Sequence, residues 1–226
     1  MALRVLLLAL AMHAPAARSE ILVVPYAEIA ARLDGRIDFQ TFPDRPEPGF
    51  ALDQVIAVPG ARLGERFAGQ SAAASGGFDR PLGPVVAPLA VLSGGPGHNL
   101  AVARHRGFGS VALFPLGPAG HGRIDGRGEG ALAVMFDSDQ TETGLLVHAA
   151  YADPLGARPA GGTVTVDFLG RDGTRLGSVR LPAGAGIQPV GVRSTSAPIA
   201  GFLVTNDDPG GVAIDDILFA PPVPLG

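Results

Sequence analysis

Cysteine, lysine and tryptophan are all missing from the 226-residue sequence. The lack of cysteine excludes a disulfide framework, a thiol nucleophile, a thiolate zinc site and an iron–sulfur cluster. Charged residues make up only 17% of the chain, which excludes a coiled coil. The 17 basic residues, all arginine, stand against 21 acidic ones, so the net charge of −4 offers no basic surface to a nucleic-acid partner.

Glycine and proline are abundant instead, with 33 and 21 residues, and they separate short apolar runs. Such runs between turn-forming residues are typical of an all-β protein, and the length suits one domain of this class. We therefore predict a two-sheet antiparallel β-sandwich, a jelly roll of the concanavalin- or galactose-binding-like kind. The predicted strands are 36–42, 54–58, 85–92, 100–104, 109–114, 131–137, 144–150, 163–169, 175–181, 187–192, 199–205 and 212–219.

The clearest local signal lies in the predicted strand 163–169, where Val164, Val166 and Phe168 alternate with polar residues. The Asp172-Gly173 pair that follows predicts a β-hairpin with the next strand. Around the sandwich domain, 36–220, we predict a lead-in segment at 20–35, a proline-rich tail at 221–226 and a loop at 67–84. The lead-in includes a two-turn helix over 26–33.

The first residues match a secretory signal peptide over 1–19, with cleavage near 16–19. Arg4 supplies a positive charge, an eight-residue apolar run follows, and Ala14-Pro15-Ala16 is a small-residue cleavage site. An N-terminal core helix is the alternative. No later run is long and apolar enough for a membrane anchor in the mature chain. We expect a secreted protein, periplasmic or extracellular.

The predicted last strand, 212–219, carries two consecutive acids, Asp215 and Asp216. Strict alternation puts Val212, Ile214, Asp216 and Leu218 on one face, and Ala213, Asp215, Ile217 and Phe219 on the other. Both faces are mostly apolar, so the strand should be buried on both sides. At least one carboxylate then needs a hydrogen-bonding or charged partner in the protein interior, because an isolated buried charge costs several kcal/mol.

Two interpretations of this acid pair remain open. In the first, an aspartate accepts backbone N–H bonds or pairs with an arginine and fixes the strand in place. In the second, the acids belong to a calcium site with oxygen ligands. Asn206 lies one loop before the strand, together with two further aspartates, and would complete the set of ligands.

The run Gly-Val-Ala-Ile-Asp-Asp-Ile-Leu-Phe at 211–219 resembles the closing strand of MAM domains, extracellular jelly-roll modules that end in an Ile-Asp-Asp motif. It also resembles the sandwich domains of bacterial secreted proteins of the PEP-CTERM type. In those families an early Phe-Glu strand often brings a carboxylate near the acid pair. Here Gln40 follows Phe39, so the resemblance implies an amide oxygen in place of a charged calcium ligand.

The tail at 221–226 looks like the start of a Val-Pro-Leu-Pro sorting segment. The helix and basic end that would follow are not in the sequence, so the resemblance implies no anchoring. Blocks 63–70, 128–140 and 199–211 resemble uncharacterised secreted bacterial proteins, a likeness that implies no activity.

Motifs for catalysis are weak. No serine stands in a Gly-x-Ser-x-Gly elbow, and His98 and His121 lie in glycine-rich loops that could meet at one end of the sandwich. A polysaccharide hydrolase would need two facing carboxylates, for which Glu129 and Asp137 are the candidates. We expect the acidic residues from Asp137 onwards to form a solvated turn.

We therefore predict a non-catalytic module of the cell envelope or extracellular matrix, with weak glycan or cell-surface binding. Tyr151 is the candidate stacking platform, and His98 and Asn99 are candidate ligand contacts. The alternatives are a secreted polysaccharide-active hydrolase and a purely structural domain that has lost its sorting tail. No cofactor other than structural calcium is expected.

Overall fold

A computed structural model describes residues 20–149, 161–184 and 186–222 of the chain. In these ranges the protein is all-β with antiparallel sheets, as predicted. The predicted signal peptide, Tyr151 and the last four residues of the tail lie outside them. No helix in the described ranges has the length and apolar character needed to cross a membrane.

Two helical turns accompany the strands, α1 (Tyr26–Ala30) and a 3-10 turn (Ile124–Gly126). The described strands are β1 (Ile21–Val23), β2 (Gly35–Ile37), β3 (Phe50–Leu52), β4 (Ile56–Val58), β5 (Ala61–Gly64), β6 (Arg66–Phe67), β7 (Ala74–Ser75), β8 (Phe78–Asp79), β9 (Val91–Leu92), β10 (Leu100–His105), β11 (Ser110–Pro115), β12 (Leu132–Gln140), β13 (Glu142–Ala149), β14 (Thr163–Leu169), β15 (Arg175–Pro182), β16 (Gly186–Ser194), β17 (Ile199–Asn206) and β18 (Val212–Phe219).

Most of these strands belong to two sheets. The larger has the order β1-β16-β13-β18-β11-β10-β3, and β2 pairs with β18 off this path. The smaller has the order β15-β14-β17-β12-β5-β4, and two short ribbons, β6-β9 and β7-β8, complete the described strands. From β11 onwards the chain passes repeatedly between the two sheets, so each sheet holds strands that are distant in sequence.

One apolar cluster contains inward side chains from both large sheets, which makes the fold sandwich-like. Phe136 and Phe202 of the smaller sheet lie edge to face with ring centroids 5.9 Å apart. Phe136 also stacks on Phe219 of the larger sheet, with centroids 6.1 Å apart. The aromatic contacts therefore join the two sheets directly.

The hairpin predicted after residue 169 is present. β14 pairs with β15 along its whole length, from Thr163 opposite Pro182 to Leu169 opposite Arg175. Gly173 lies in the turn with φ +80°, a conformation that glycine adopts without steric cost.

Short and irregular elements differ from the prediction. The strand predicted at 36–42 ends at Ile37, and the one predicted at 85–92 is reduced to β9. The loop predicted at 67–84 contains the ribbon β7-β8. The lead-in segment contributes β1, which pairs with β16, and a helix that ends at Ala30. Three-residue strands such as β1 carry too few residues to show an alternation, so pairing with a longer strand decides them.

We expect Phe202→Ala to lower the free energy of unfolding by about 3–5 kcal/mol, because it empties space at the contact between the sheets. Urea denaturation would measure the change. Leu82→Ala is the matched control, since Leu82 is 57% exposed; it should cost less than about 0.5 kcal/mol. Equal losses in the two variants would contradict the core described above.

Candidate functional site

The closing strand β18 contains a bulge at its acid pair. Gly144 of β13 lies opposite Leu218, but two residues further on Leu146 lies opposite Asp215, so β18 has one extra residue. Asp216 occupies this point with φ +49°, in the left-handed region. The core cluster takes its side chains from Val212 and Ile214 before the bulge, and from Ile217 and Phe219 after it.

The strict alternation predicted for this strand is therefore wrong. A bulge changes the parity of a strand, so residues before and after it reach the same face although their spacing is odd. Asp215 and Asp216 are both left on the face that is turned away from the core. The predicted burial is confirmed, because every residue of β18 except Asp216 is buried.

Both acids line a pocket of about 320 Å³ on this outer face of the larger sheet. We call it the outer-face pocket. Its polar side chains are Arg36, Asp38, Gln40, Ser110, Asp215 and Asp216. Its apolar side chains are Phe108, Leu146 and Ile187, of which Ile187 is 44% exposed.

Asp215 is the most buried acid of the outer-face pocket, with 4% of its surface exposed. Its Oδ1 accepts the backbone N–H of Asp216 at 2.8 Å, and its Oδ2 accepts the Ser110 hydroxyl at 2.9 Å. Burial raises the pKa of Asp215 to about 7, although these hydrogen bonds act in the opposite direction. The charges of Asp216 and Asp38 raise it further.

Asp216 has a different environment. Its Oδ2 pairs with the Arg36 guanidinium at 2.8 Å, and its backbone carbonyl accepts the Tyr26 hydroxyl at 3.1 Å. Burial and the nearby Asp216 charge raise the pKa of Tyr26 to about 12. The acid pair thus has the partners that the structural interpretation requires, namely a backbone N–H and an arginine.

The turn after β2 also lines the outer-face pocket, through Asp38 and Gln40. Asp38 Oδ1 accepts the backbone N–H of Gln40 at 3.1 Å, and Gln40 Nε2 donates to the carbonyl of Val111 at 3.0 Å. Phe39, between them, is buried in the core with φ +57°. In the described ranges, Phe39 and Asp216 are the non-glycine residues with positive φ, and strain of this kind clusters at functional sites.

Of the predicted calcium ligands, Asp215, Asp216 and Gln40 meet at the outer-face pocket and Asn206 does not. Asn206 is buried elsewhere, where its Nδ2 donates to the carbonyl of Gly128 at 2.8 Å and its Oδ1 accepts the N–H of Asp208. Within the described part of the chain, no group of three or more histidine or acidic side chains is placed to hold a metal ion. The calcium site stays a prediction.

The other predicted contacts lie away from the outer-face pocket. Asn99 is fully buried and its amide Nδ2 donates to the carbonyls of Leu52 and Gln54, so it joins two segments of backbone. The loops of His98 and His121 do meet, since His121 N–H donates to the carbonyl of Gly97. The two rings, however, lie against backbone carbonyl groups.

The two carboxylates predicted for a hydrolase, Glu129 and Asp137, differ in their exposure to solvent. Glu129 is 4% exposed, whereas Asp137 is an exposed residue within β12. Since β12 continues to Gln140, the turn predicted from Asp137 onwards is wrong, whereas the predicted exposure is confirmed for Asp137 and Asp139. Pairing with β17 is interrupted by a bulge after Met135 and resumes at Gln140, opposite Ile199.

A buried histidine pair beside the outer-face pocket was not predicted. His105 Nε2 lies 2.5 Å from His148 Nδ1, and Phe108 covers both rings edge-on. Burial lowers the pKa of His105 to about 3, and burial also lowers the pKa of His148. In the sequence, both histidines lie at or near the end of a predicted strand. No local pattern, however, indicates that β10 and β13 bring them together.

Comparison of the chain with protein family models, with curated proteins and with solved structures finds no match. A function has to follow from the chemistry of the site, because a fold alone hosts many functions. The features that bear on it are the bulge in β18, the outer-face pocket and the charges that line this pocket.

We expect Asp215→Asn to change how stability depends on pH. The folded chain keeps the Asp215 proton up to about pH 7, whereas the unfolded chain loses it near about pH 4. The wild type should therefore lose stability relative to the variant as the pH rises from about 4 to about 7. Urea denaturation across this range would measure the difference, with exposed Asp44→Asn as the control; parallel curves for Asp215→Asn and wild type would contradict it.

We expect the imidazole of His105 to stay neutral at about pH 5, because burial lowers its pKa to about 3 and protonation would bury a charge. Ring ¹⁵N shifts would report the protonation state. In urea the same ring should be charged at that pH, since an unfolded histidine has a pKa near about 6.5. The folded state should consequently lose stability as the pH falls below about 6.5. A charged His105 ring in the folded protein would refute this.

Proposed function

We propose that the chain is a secreted, non-catalytic module of the cell envelope or extracellular matrix that binds glycan through the outer-face pocket. The observation that carries this proposal is the combination of polar and apolar side chains in the lining of one concave site. The signal-peptide pattern at 1–19 supports a periplasmic or extracellular location.

The chemistry of this lining suits a sugar ring. Ring hydroxyl groups both donate and accept hydrogen bonds, and Asp38 and Gln40 offer oxygen acceptors in the same pocket. The apolar face of the ring would lie against Phe108 and Ile187. With about 320 Å³ the pocket is at the small end of ligand sites, which suits a short stretch of glycan.

A polysaccharide hydrolase is the second candidate. The raised pKa of Asp215, beside Asp38 in the same pocket, is a feature of a general acid. The contacts of Asp215 favour the non-catalytic role, because both of its oxygens already accept hydrogen bonds from Ser110 and from backbone. A general acid has to reach the oxygen of the scissile bond.

Structural calcium is a further proposal for the same carboxylates. Asp215 and Asp216 offer carboxylate oxygens and Gln40 an amide oxygen, which are ligand types that calcium takes. If calcium binds here, EDTA lowers the thermal midpoint of the wild type and has little further effect on Asp216→Asn. An equal response of the two proteins would count against this site.

We also propose that the sandwich is a jelly roll. The support lies in the nested pairing of the last eight strands. The first of them pairs with the last, β11 with β18, and the others follow inwards as β12 with β17, β13 with β16 and β14 with β15. A long hairpin wound around a core gives this arrangement.

For glycan binding, we expect Ile187→Ala to weaken the affinity about fivefold, because it removes apolar surface from the pocket wall. A glycan array would select the ligand, and calorimetry on the best oligosaccharide would measure the change. Leu22→Ala is the matched control, since Leu22 is exposed on another strand, β1.

Equal affinities of Ile187→Ala and wild type would contradict the pocket as the binding site. A reducing-end assay on the same polysaccharides separates binding from hydrolysis. We expect no products. Release of reducing ends that Asp215→Asn abolishes would show that the chain is a hydrolase.

A further inference from the structure

Resting on the proposed function, we infer that the glycan bound in the outer-face pocket carries a primary ammonium group, as a deacetylated hexosamine does, and that this group lies against Asp38 and Asp215. The inference follows from three features of the pocket. These are its charge, the pairing of its guanidinium with Asp216, and the number of carboxylate oxygens that can still accept a hydrogen bond.

The outer-face pocket is lined by three carboxyl groups and one guanidinium. Arg36 is paired with Asp216 at 2.8 Å, so these two charges offset each other. Asp38 and Asp215 are left without a cationic side chain among the lining residues. Both line the same pocket, and the Asp38 charge acts to raise the pKa of Asp215. A positive group on the ligand would pair with the Asp38 charge and would favour the ionised form of Asp215.

An acidic sugar is the wrong ligand for this charge pattern. Its carboxylate would have to displace Asp216 from Arg36 and would then face Asp38 and Asp215 as well. Bringing like charges together in a partly desolvated site weakens binding, which selects against such a ligand.

An ammonium group also fits the remaining oxygens better than calcium does. Calcium takes six to eight oxygen ligands, whereas an ammonium needs only three acceptors. Both oxygens of Asp215 are already engaged by Ser110 and by backbone, and Asp216 is engaged by Arg36. A carboxylate oxygen has several lone-pair directions, so Asp215 and Asp38 can accept ammonium protons while keeping these contacts.

The apolar side chains of the lining complete the recognition. Phe108, Leu146 and Ile187 lie beside the acids in the same pocket, and part of this surface is exposed. An amino sugar has an apolar ring face next to its charged group, so it matches both kinds of side chain at once. A free ammonium ion or a lysine side chain would match only the acids.

The experiment compares oligomers that differ in one group. Calorimetry would be carried out on the wild type with a glucosamine tetramer, an N-acetylglucosamine tetramer and a glucuronate-bearing oligosaccharide of similar length. We expect the glucosamine tetramer to bind about tenfold more tightly than its acetylated counterpart, and the acidic one to bind more weakly still.

Two substitutions should act in opposite directions. Asp38→Asn keeps the size of the side chain and an oxygen for the Gln40 N–H, and it should reduce the affinity for the glucosamine tetramer to that of the acetylated form. Arg36→Gln removes the competing cation and should strengthen binding about threefold. Asp44→Asn, an exposed acid paired with Arg104, is the control and should change nothing.

The outcomes separate the two levels of the proposal. If the acetylated or acidic oligomer binds as tightly as the glucosamine tetramer, the ammonium inference is wrong and glycan binding stands. If none of the three oligomers binds and a glycan array is also negative, the proposed function itself is wrong. Displacement of the glucosamine tetramer by about 1 mM calcium would identify a metal site and would overturn the inference.

Discussion

The fold depends on the closing strand β18, which is buried on both of its faces. β18 lies between β13 and β11 in the larger sheet, and seven of its eight residues are buried. A carboxyl group in such a strand must find donors nearby, because its charge cannot be hydrated. Asp215 finds them in the Ser110 hydroxyl and in the backbone N–H of the next residue. The strand is thus fixed to β11 by a polar contact as well as by its ladder.

The bulge at Asp216 strains the backbone of this strand, and it also places the two acids in the outer-face pocket. It forces one residue into the left-handed region, which is unfavourable for an aspartate. In return it turns two adjacent acids to one face while the core receives Ile214 and Ile217 without a gap. The turn at Phe39 has a similar effect, since its ring fills the core while Asp38 and Gln40 line the pocket.

Burial acts in opposite ways on the ionisable groups of this face. It raises the pKa of Asp215 to about 7 and lowers that of His105 to about 3, so each group is held towards its neutral form. A neutral histidine pair adds no positive charge beside the outer-face pocket. The field in the pocket is therefore set by Asp38, Asp216 and Arg36, with Asp215 contributing as it ionises.

The sequence by itself determined the class of fold, the hairpin at Asp172-Gly173 and the burial of the last strand, because these follow from local alternation, turn residues and apolar composition. It also singled out Asp215 and Asp216. The position of Asn206, the face of Asp216 and the meeting of His105 with His148 were decided only by the tertiary structure. A bulge changes which face a residue reaches without leaving a mark in the local pattern. Contacts among β10, β11, β13 and β18 join residues up to 105 positions apart, and only the completed sheet brings them together.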